Sequence, residues 1–519
     1  MTEQVEFDYI VVGTGSAGSV IARRLVDAGV GEVLAIEAGV EDRGVHAISE
    51  PTSWRTLWGS EYDWAYRTTP QRGLNGRVLG LPRGKIVGGS SSINGMIYVR
   101  GHRLDYDAWE YDGCYGWGWE AVLPLFLRSE RFVPGASSWH GADGPISVVP
   151  VPGGNPVSRA FIDGARSIGM PENHDFNAGT LDGAGTVQLT IGDGQRSSTS
   201  RAFLWPVLDH PALTVRTGLL VDRLVIESGR CVGVRVVGRD GEVRTIRATR
   251  EVILSAGVFE SPAILLRSGV GPRGDLDRLG IDVAVDSGGV GANLQDHALA
   301  PVVFGTQEAQ PSPGGNLMDT VLFSRSRPEI VVPDLQSILL HFVKPVDGYP
   351  VPDTGFTIGA GIMRAKARGR VKLSTTDPSA APLIDPAYLT QRYDVDAMVA
   401  AVETALEIAS TGAFDPLGAS LVAPARPGLS RDELEAYVRE SCITYHHQVG
   451  TCRMGSDDES VVDPELRVRG VDGVRVADAS IMPTVPSVNT HAPTMMVGEK
   501  AADLVVAANG AGARRAGAA

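Results

Sequence analysis

The 519-residue chain is poor in cysteine, in clustered basic residues and in long apolar runs, and each shortage removes a class of protein. Its four cysteines (Cys114, Cys231, Cys442, Cys452) are too few and too scattered for a disulfide framework. With a formal net charge of −14 and no Lys/Arg run, no surface suited to nucleic-acid phosphates is expected. No apolar stretch is long enough to span a bilayer. The start, Met1-Thr2-Glu3-Gln4-Val5-Glu6, is acidic and lacks the charged and apolar segments of an export signal, so a cytoplasmic setting is expected. No internal repeat is visible. A chain of this length is expected to form two intertwined domains that can bury a ligand the size of a dinucleotide.

What is present starts with an apolar strand, Tyr9 to Val12, running into Gly13-Thr14-Gly15-Ser16-Ala17-Gly18 and an amphipathic helix. A second strand, Val33 to Ile36, ends in Glu37. Glycine is common here, 63 residues, so the spacing alone is weak evidence; strand, helix and terminal acid together make it a nucleotide-binding βαβ start. Gly13 allows the tight turn, Gly15 leaves room for a pyrophosphate and Gly18 lets the helix lie close, so the helix N-terminus faces the phosphates. Glu37 is placed to accept hydrogen bonds from the adenosine ribose and disfavours a 2′-phosphate. Further strands are expected over Leu213 to Val215, Val221 to Glu227, Cys231 to Val237 and Val252 to Ser255, the last ending in Ala256-Gly257. Pro/Gly-rich stretches at Glu308 to Gly315 and Val346 to Gly355 read as loops over a pocket, and the Ala/Gly-rich end as a frayed tail.

A second loop, Arg83-Gly84-Lys85-Ile86-Val87-Gly88-Gly89-Ser90-Ser91-Ser92-Ile93-Asn94-Gly95, combines close backbone approach with hydroxyl and amide donors. With Gly257 to Gly271, Gly289 to His297, Gly450-Thr451-Cys452-Arg453-Met454-Gly455 and Ala477-Asp478-Ala479-Ser480, in that order, the chain resembles the glucose–methanol–choline (GMC) family of FAD-dependent oxidoreductases over nearly its whole length. Val258 departs from the small residue usual in the second motif. The style of the motifs looks closest to bacterial choline-dehydrogenase-like and aryl-alcohol-oxidase-like members.

The resemblance implies an α/β (α+β) protein: a Rossmann-like FAD-binding domain with a substrate domain built on an antiparallel sheet flanked by helices. The expected division gives 1–150, 196–303 and 456–507 to the FAD domain, 151–195 and 304–455 to the substrate domain, and 508–519 to a disordered tail. It also implies a cofactor set of Gly13, Gly15, Ser16, Ala17, Gly18, Glu37, Ala38, Arg83, Gly88, Gly89, Ser90, Asn94, Gly95, Val221, Ala256, Asp478, Ala479 and Thr494. In it, Asn94 and the Gly88–Gly89 backbone flank the ring, Val221 touches the adenine, and Asp478 and Ala479 contact the pyrophosphate or ribityl chain. Ile93, where some relatives carry a flavin-linked histidine, has no nucleophile, so FAD is expected to be non-covalent.

The chemistry implied is oxidation of a primary alcohol to an aldehyde, with electrons passed to O2 or to a quinone or dye-like acceptor. The resemblance implies a catalytic histidine in Tyr445-His446-His447-Gln448-Val449-Gly450-Thr451, matched by the spacing to Gly450-Thr451 to His447 and not His446, and an imidazole is suited to take the hydroxyl proton as the base. His491, in Asn489-Thr490-His491-Ala492-Pro493-Thr494, is its expected partner as donor to the developing alkoxide. A helix from Thr494 to Ala507, with Pro493 near its start, would aim its positive end at the flavin. Tyr445 and His446 are the substrate-side residues; His446 either lines the pocket or braces the backbone. Of the aromatics, Trp64, Tyr98, Phe342 and Phe356 are further pocket candidates, though aromatics are more often core. His46, His102, His140, His174 and His210 read as ordinary structural or surface histidines. No metal site is expected, because Cys442, His446, His447 and Cys452 have the wrong spacing for zinc. A family lyase using the flavin structurally is the alternative reading. A choline-type substrate would call for an acid or an aromatic cage, and none can be placed. The oligomeric state is left open.

Overall fold

The computed structural model describes residues 6–516, arranged around two seven-stranded sheets. The first has the strand order Leu213–Thr217, Val33–Glu37, Glu6–Val12, Val243–Leu254, Arg230–Gly238, Leu219–Glu227, with Val474–Val476 also pairing Val243–Leu254. The pairs among Leu213–Thr217, Val33–Glu37, Glu6–Val12 and Val243–Leu254 are parallel, and the apolar, buried runs Tyr9–Val12, Val33–Ile36 and Val252–Leu254 at the centre suit a sheet covered on both faces. Strand Val243–Leu254 does double duty. Its first half closes an antiparallel meander and its last residues lie between Glu6–Val12 and Val474–Val476, with Val252 opposite both Ile10 and Val474. The expectation of a strand only from Val252 missed that first half, whose residues alternate between exposed and buried.

Three helices converge on one buried acid. Glu499, on helix His491–Ala516, receives Arg24 from helix Gly18–Asp27 at 2.7 Å and, from helix Trp119–Ser129, Arg128 at 2.6 Å and Ser129 at 2.7 Å. A fully buried carboxylate is tolerated there because two guanidiniums and a hydroxyl compensate it. The C-terminal helix extends beyond both ends expected for it and takes in most of 508–519; alanine, the best helix former, continues it to Ala516, and 517–519 lie outside the described residues.

The second sheet is antiparallel, in the order Ala419–Ala423, Ala298–Thr306, Gly355–Ile362, Leu335–Leu340, Thr320–Ser324, Gly183–Thr186, and Ile443–Thr444 also pairs Ala298–Thr306. Helices Pro156–Ser167, Arg392–Ser410 and Arg431–Ser441 share its core. The expected boundary at 303/304 falls inside strand Ala298–Thr306, which pairs along its whole length within this sheet. Among the described residues, no helix is long and apolar enough to cross a membrane.

Candidate active site

A cavity of about 520 Å³ runs from the C-terminal ends of strands Glu6–Val12 and Val33–Glu37 to the antiparallel sheet. Such a position, outside the carboxyl ends of parallel strands, is where open α/β sheets bind ligands. All the expected site residues line it except Gly18 and Gly88, which shape the loops from behind. A Cβ on Gly18 would sit 1.9 Å from the Gly13 carbonyl oxygen, and one on Gly88 would sit 2.2 Å from the Ser92 hydroxyl.

At one end the two glycine loops almost touch. A Cβ on Gly89, whose φ is +52°, would lie 2.7 Å from the Gly15 Cα, while one on Gly15 meets no atom closer than 3.9 Å and points into free space. That cradle, narrow between loops and open above Gly15, fits a pyrophosphate held by backbone amides. Glu37 lines it with its carboxylate oriented by Thr14 N–H (3.2 Å), Thr14 Oγ1 (2.9 Å) and Gly39 N–H (2.9 Å), and burial raises its pKa. Asp478 is likewise committed, accepting from Gly257 N–H (2.8 Å), Ser261 Oγ (2.6 Å) and Ser480 N–H (2.8 Å), so it holds the two loops that border the cavity. Asn94 Oδ1 accepts from Met96 N–H and from Arg196, a buried guanidinium that also donates to the carbonyls of Ile48 and Asn94. With no carboxylate among the described residues paired to it, burial lowers the Arg196 pKa to about 9.

The reacting end depends on two segments 150 residues apart that zip together. Ala298 and Leu299 pair with Thr444 and Ile443, Tyr445 N–H donates to the His297 carbonyl at 2.9 Å, and Gln295 and Val449 exchange backbone bonds. Asp296 then clamps the intervening turn: its carboxylate accepts from His447 N–H (2.8 Å), Thr444 Oγ1 (2.6 Å), Gln448 Nε2 (2.6 Å) and the Tyr388 hydroxyl. Burial pushes its pKa up to about 6. His446 adopts a left-handed φ of +66°, unusual for a residue with a Cβ and held here by Arg83, which donates to its carbonyl at 2.8 Å. His446 therefore does both things expected as alternatives. It lines the cavity, packed edge-on to Trp58 with ring centres 4.6 Å apart, and its backbone is braced.

His447 presents its ring between two partners. Nδ1 lies 2.9 Å from His297 Nδ1, and Nε2 lies 3.2 Å from Asn489 Nδ2. An amide N–H can only donate, so Nε2 carries the lone pair and the ring proton sits on Nδ1, shared toward His297. Burial, together with His297, His446 and Arg83, holds the His447 pKa well below the ordinary imidazole value; burial also lowers His297 and His446 to about 3 and His491 to about 4. All four rings are thus neutral bases at neutral pH.

His491 begins the C-terminal helix and lines the same cavity, but its Nδ1 is 3.1 Å from Ser16 Oγ on the first glycine loop. The side chain touching His447 is Asn489, to which no site role was given from the sequence. His297 and Asp296 were also missed as site residues, although both sit in a quoted motif. Of the expected aromatics, Trp64, Phe342 and Tyr445 line the cavity and Tyr98 and Phe356 do not, while Trp54 and Trp58 join the wall. Among the described residues, no group of three or more His, Cys, Asp or Glu is placed to hold a metal ion.

Profiles of one family, GMC oxidoreductase, match residues 7–299 and 365–498. The oxygen-dependent choline dehydrogenase of Sinorhizobium fredii is 38% identical over 533 residues, spanning 97% of this chain and 96% of that protein. Among solved structures, pyridoxine 4-oxidase from Mesorbium loti superposes with a TM-score of 0.91 at 34% identity, covering 96% of this chain and 98% of that one. Formate oxidase of Aspergillus oryzae RIB40 does so with a TM-score of 0.90 at 30% identity, over 98% and 99%.

Proposed function

The chain belongs to the GMC oxidoreductase family and is an FAD-dependent oxidoreductase, and on that premise we propose that it oxidises a primary alcohol to an aldehyde with His447 as the base. The observation that carries the reading is the buried His447 Nε2 lone pair at the cavity wall, fixed by Asp296 on its backbone, His297 at Nδ1 and Asn489 at Nε2. When bound, FAD supplies a hydride acceptor. With the alcohol bound, its hydroxyl would replace the Asn489 amide at His447 Nε2, which takes the proton as the carbon–hydrogen bond breaks, and the freed Asn489 N–H and His491 orient the oxygen. The two electrons then leave to O2, giving H2O2, or to a quinone or dye-like acceptor.

The cofactor reading rests on the Gly13–Ala17 and Gly89–Gly95 loops, on Glu37, whose carboxylate would accept from the ribose, and on the N-terminus of the last helix, whose positive end would stabilise the reduced ring. We read the link as non-covalent, since Ile93 offers no nucleophile and is buried among apolar side chains. The four cysteines are free and buried, which accords with a reducing, cytoplasmic setting. The relatives are named for oxidations, and nothing at His447 favours the lyase reading.

Anaerobic addition of primary alcohols while following the flavin absorbance tests the proposal. Bleaching by one of them supports it, and readmitted air identifies oxygen as acceptor if colour returns with H2O2. A flavin that stays oxidised with aliphatic, aromatic, sugar-like and choline-like alcohols overturns it.

A further inference from the structure

Beyond His447 the cavity is walled by Trp58, Phe342 and Tyr445, and three cations line this end: Arg83, committed to the His446 carbonyl, and Arg55 and Lys344. The Arg55 guanidinium lies over the Phe342 ring, 3.9 Å from its centre. Lys344 is near enough to His446 and to Arg55 for each charge to act on its neighbour, and among the described groups acting on it there is no acid. The three acids that line the cavity are all committed elsewhere: Glu37 to Thr14 and Gly39, Asp478 to Gly257, Ser261 and Ser480, and Glu260 to Tyr66 (2.6 Å) and Arg267 (3.4 Å). This positive end is not a by-product of a basic protein. The chain carries a net charge of −14 and only five lysines.

We propose that Arg55 and Lys344 form an anion subsite, so that the preferred substrate is an alcohol with a flat apolar body between the aromatic walls and a carboxylate at the end remote from its CH2OH. The inference rests on the alcohol-oxidoreductase reading and sharpens it. A guanidinium fixed against a ring keeps its N–H edge free to grip a carboxylate in two places, and a nearby ammonium adds a second charge in a partly desolvated site. The same arrangement repels a quaternary ammonium. The face of Phe342 that would receive such a cation is already covered by Arg55, and two positive charges stand beside it without an acid to offset them.

Three para-substituted benzyl alcohols isolate the charge while keeping the reacting carbon: 4-(hydroxymethyl)benzoate, benzyl alcohol and 4-(hydroxymethyl)phenyltrimethylammonium. In anaerobic flavin reduction by the holoenzyme, the rate constant divided by the dissociation constant is expected to be about tenfold higher for the benzoate than for benzyl alcohol, and lowest for the ammonium. Added salt should shrink the benzoate's advantage. Lys344→Met should remove most of that advantage and Lys344→Glu should reverse the order of the charged pair. Equal rates, or the ammonium fastest, overturn the anion subsite while leaving alcohol oxidation in place. Failure of all three to bleach the flavin counts against the alcohol reading instead, and the subsite is then judged on unreactive 4-methylbenzoate. Perturbation of the flavin spectrum by that anion, weakened about tenfold in Lys344→Met, supports the subsite, and absence of binding overturns it.

Discussion

The two ends of the cavity are built on opposite plans. At the glycine-loop end the acids and the loop hydroxyls find protein partners: Glu37 and Asp478 each accept three hydrogen bonds, and Ser91 and Ser92 of the second loop bond its own backbone. At the histidine end, Arg83 Nε, His446 Nδ1 and His491 Nε2 are buried without a partner among the described residues. Buried polar atoms are nearly always paired, so the contrast separates a cradle, whose task is to hold its shape, from a reaction site that keeps atoms in reserve for a ligand. If so, damage to the first should change what is bound and damage to the second should change how fast it reacts.

The largest effect should come from Gly15→Leu. A Cβ at Gly15 finds free space within the protein, so the chain should still fold, but a leucyl side chain would fill the space above the glycine turn. FAD affinity is expected to fall by at least about a hundredfold, seen as colourless purified protein with an unchanged far-ultraviolet circular dichroism spectrum. A yellow Gly15→Leu protein would break the comparison at its strongest point. His447→Ala should do the converse. It should keep its FAD while anaerobic flavin reduction slows by about 10² to 10⁴-fold, the range for loss of a general base. Reduction at the wild-type rate would remove His447 from its role.

The next effect is one of pH. Because burial lowers the His447 pKa, the deprotonated, proton-accepting form exists down to pH values well under the ordinary imidazole range, and is lost only when pH falls through that lowered value. Flavin reduction should therefore be flat from about pH 8 to about pH 6, with its acid limb below the reference value of about 6.5. A rate that halves at or above that value would mean that the ring is solvated and the site is not the closed one described.

The two ends also differed in how far they could be read from sequence. The glycine-loop end is made of consecutive residues, Gly13 to Gly18 and Gly84 to Gly95, and a tight turn restricts neighbouring positions strongly enough to leave a linear pattern. The turn with His447 was visible for the same reason. What pairs with it was not, because His297 reaches His447 only through the antiparallel pairing of Ala298–Leu299 with Ile443–Thr444, a choice made across 150 residues. Alternation along a strand tells which residues share a face and is silent on which distant strand lies opposite. Trp54, Trp58, Arg55 and Lys344 come from two further segments and carry no local signature. The boundary inside strand Ala298–Thr306 went astray on the same ground, since the strand continues the chain out of one domain and pairs wholly in the other.

His297 gives a finer cut. It never lines the cavity, so it acts through His447 as a positioning residue. His297→Leu leaves the His447 Nδ1–H without an acceptor and frees the ring to exchange tautomers, which should slow flavin reduction by about tenfold, equivalent to about 1.4 kcal/mol. His297→Gln, whose carbonyl can accept the same proton, should recover most of the rate, and the acid limb should move in the leucine variant but not in the glutamine one. A loss of equal size in both would make His297 a packing residue only.

The smallest effect tests the other end with a change of one atom type. Thr14 is fully buried and gives Glu37 two of its three hydrogen bonds, one from the backbone and one, at 2.9 Å, from Oγ1. Thr14→Val removes only the second and keeps the shape. Glu37, its pKa already raised by burial, should then hold its charge less readily and orient its carboxylate less firmly toward the ribose. One neutral hydrogen bond to a charged acceptor is worth about 1.5 kcal/mol, so FAD should bind roughly tenfold more weakly at most, measured by equilibrium titration of the apoprotein. The decisive number is the other one. Once saturated with FAD, Thr14→Val should reduce its flavin at the wild-type rate with the wild-type pH dependence, because nothing it touches belongs to the histidine end. A slowed reduction at saturating FAD would show that the cradle sets the reactivity as well as the binding, and the two plans would then be one.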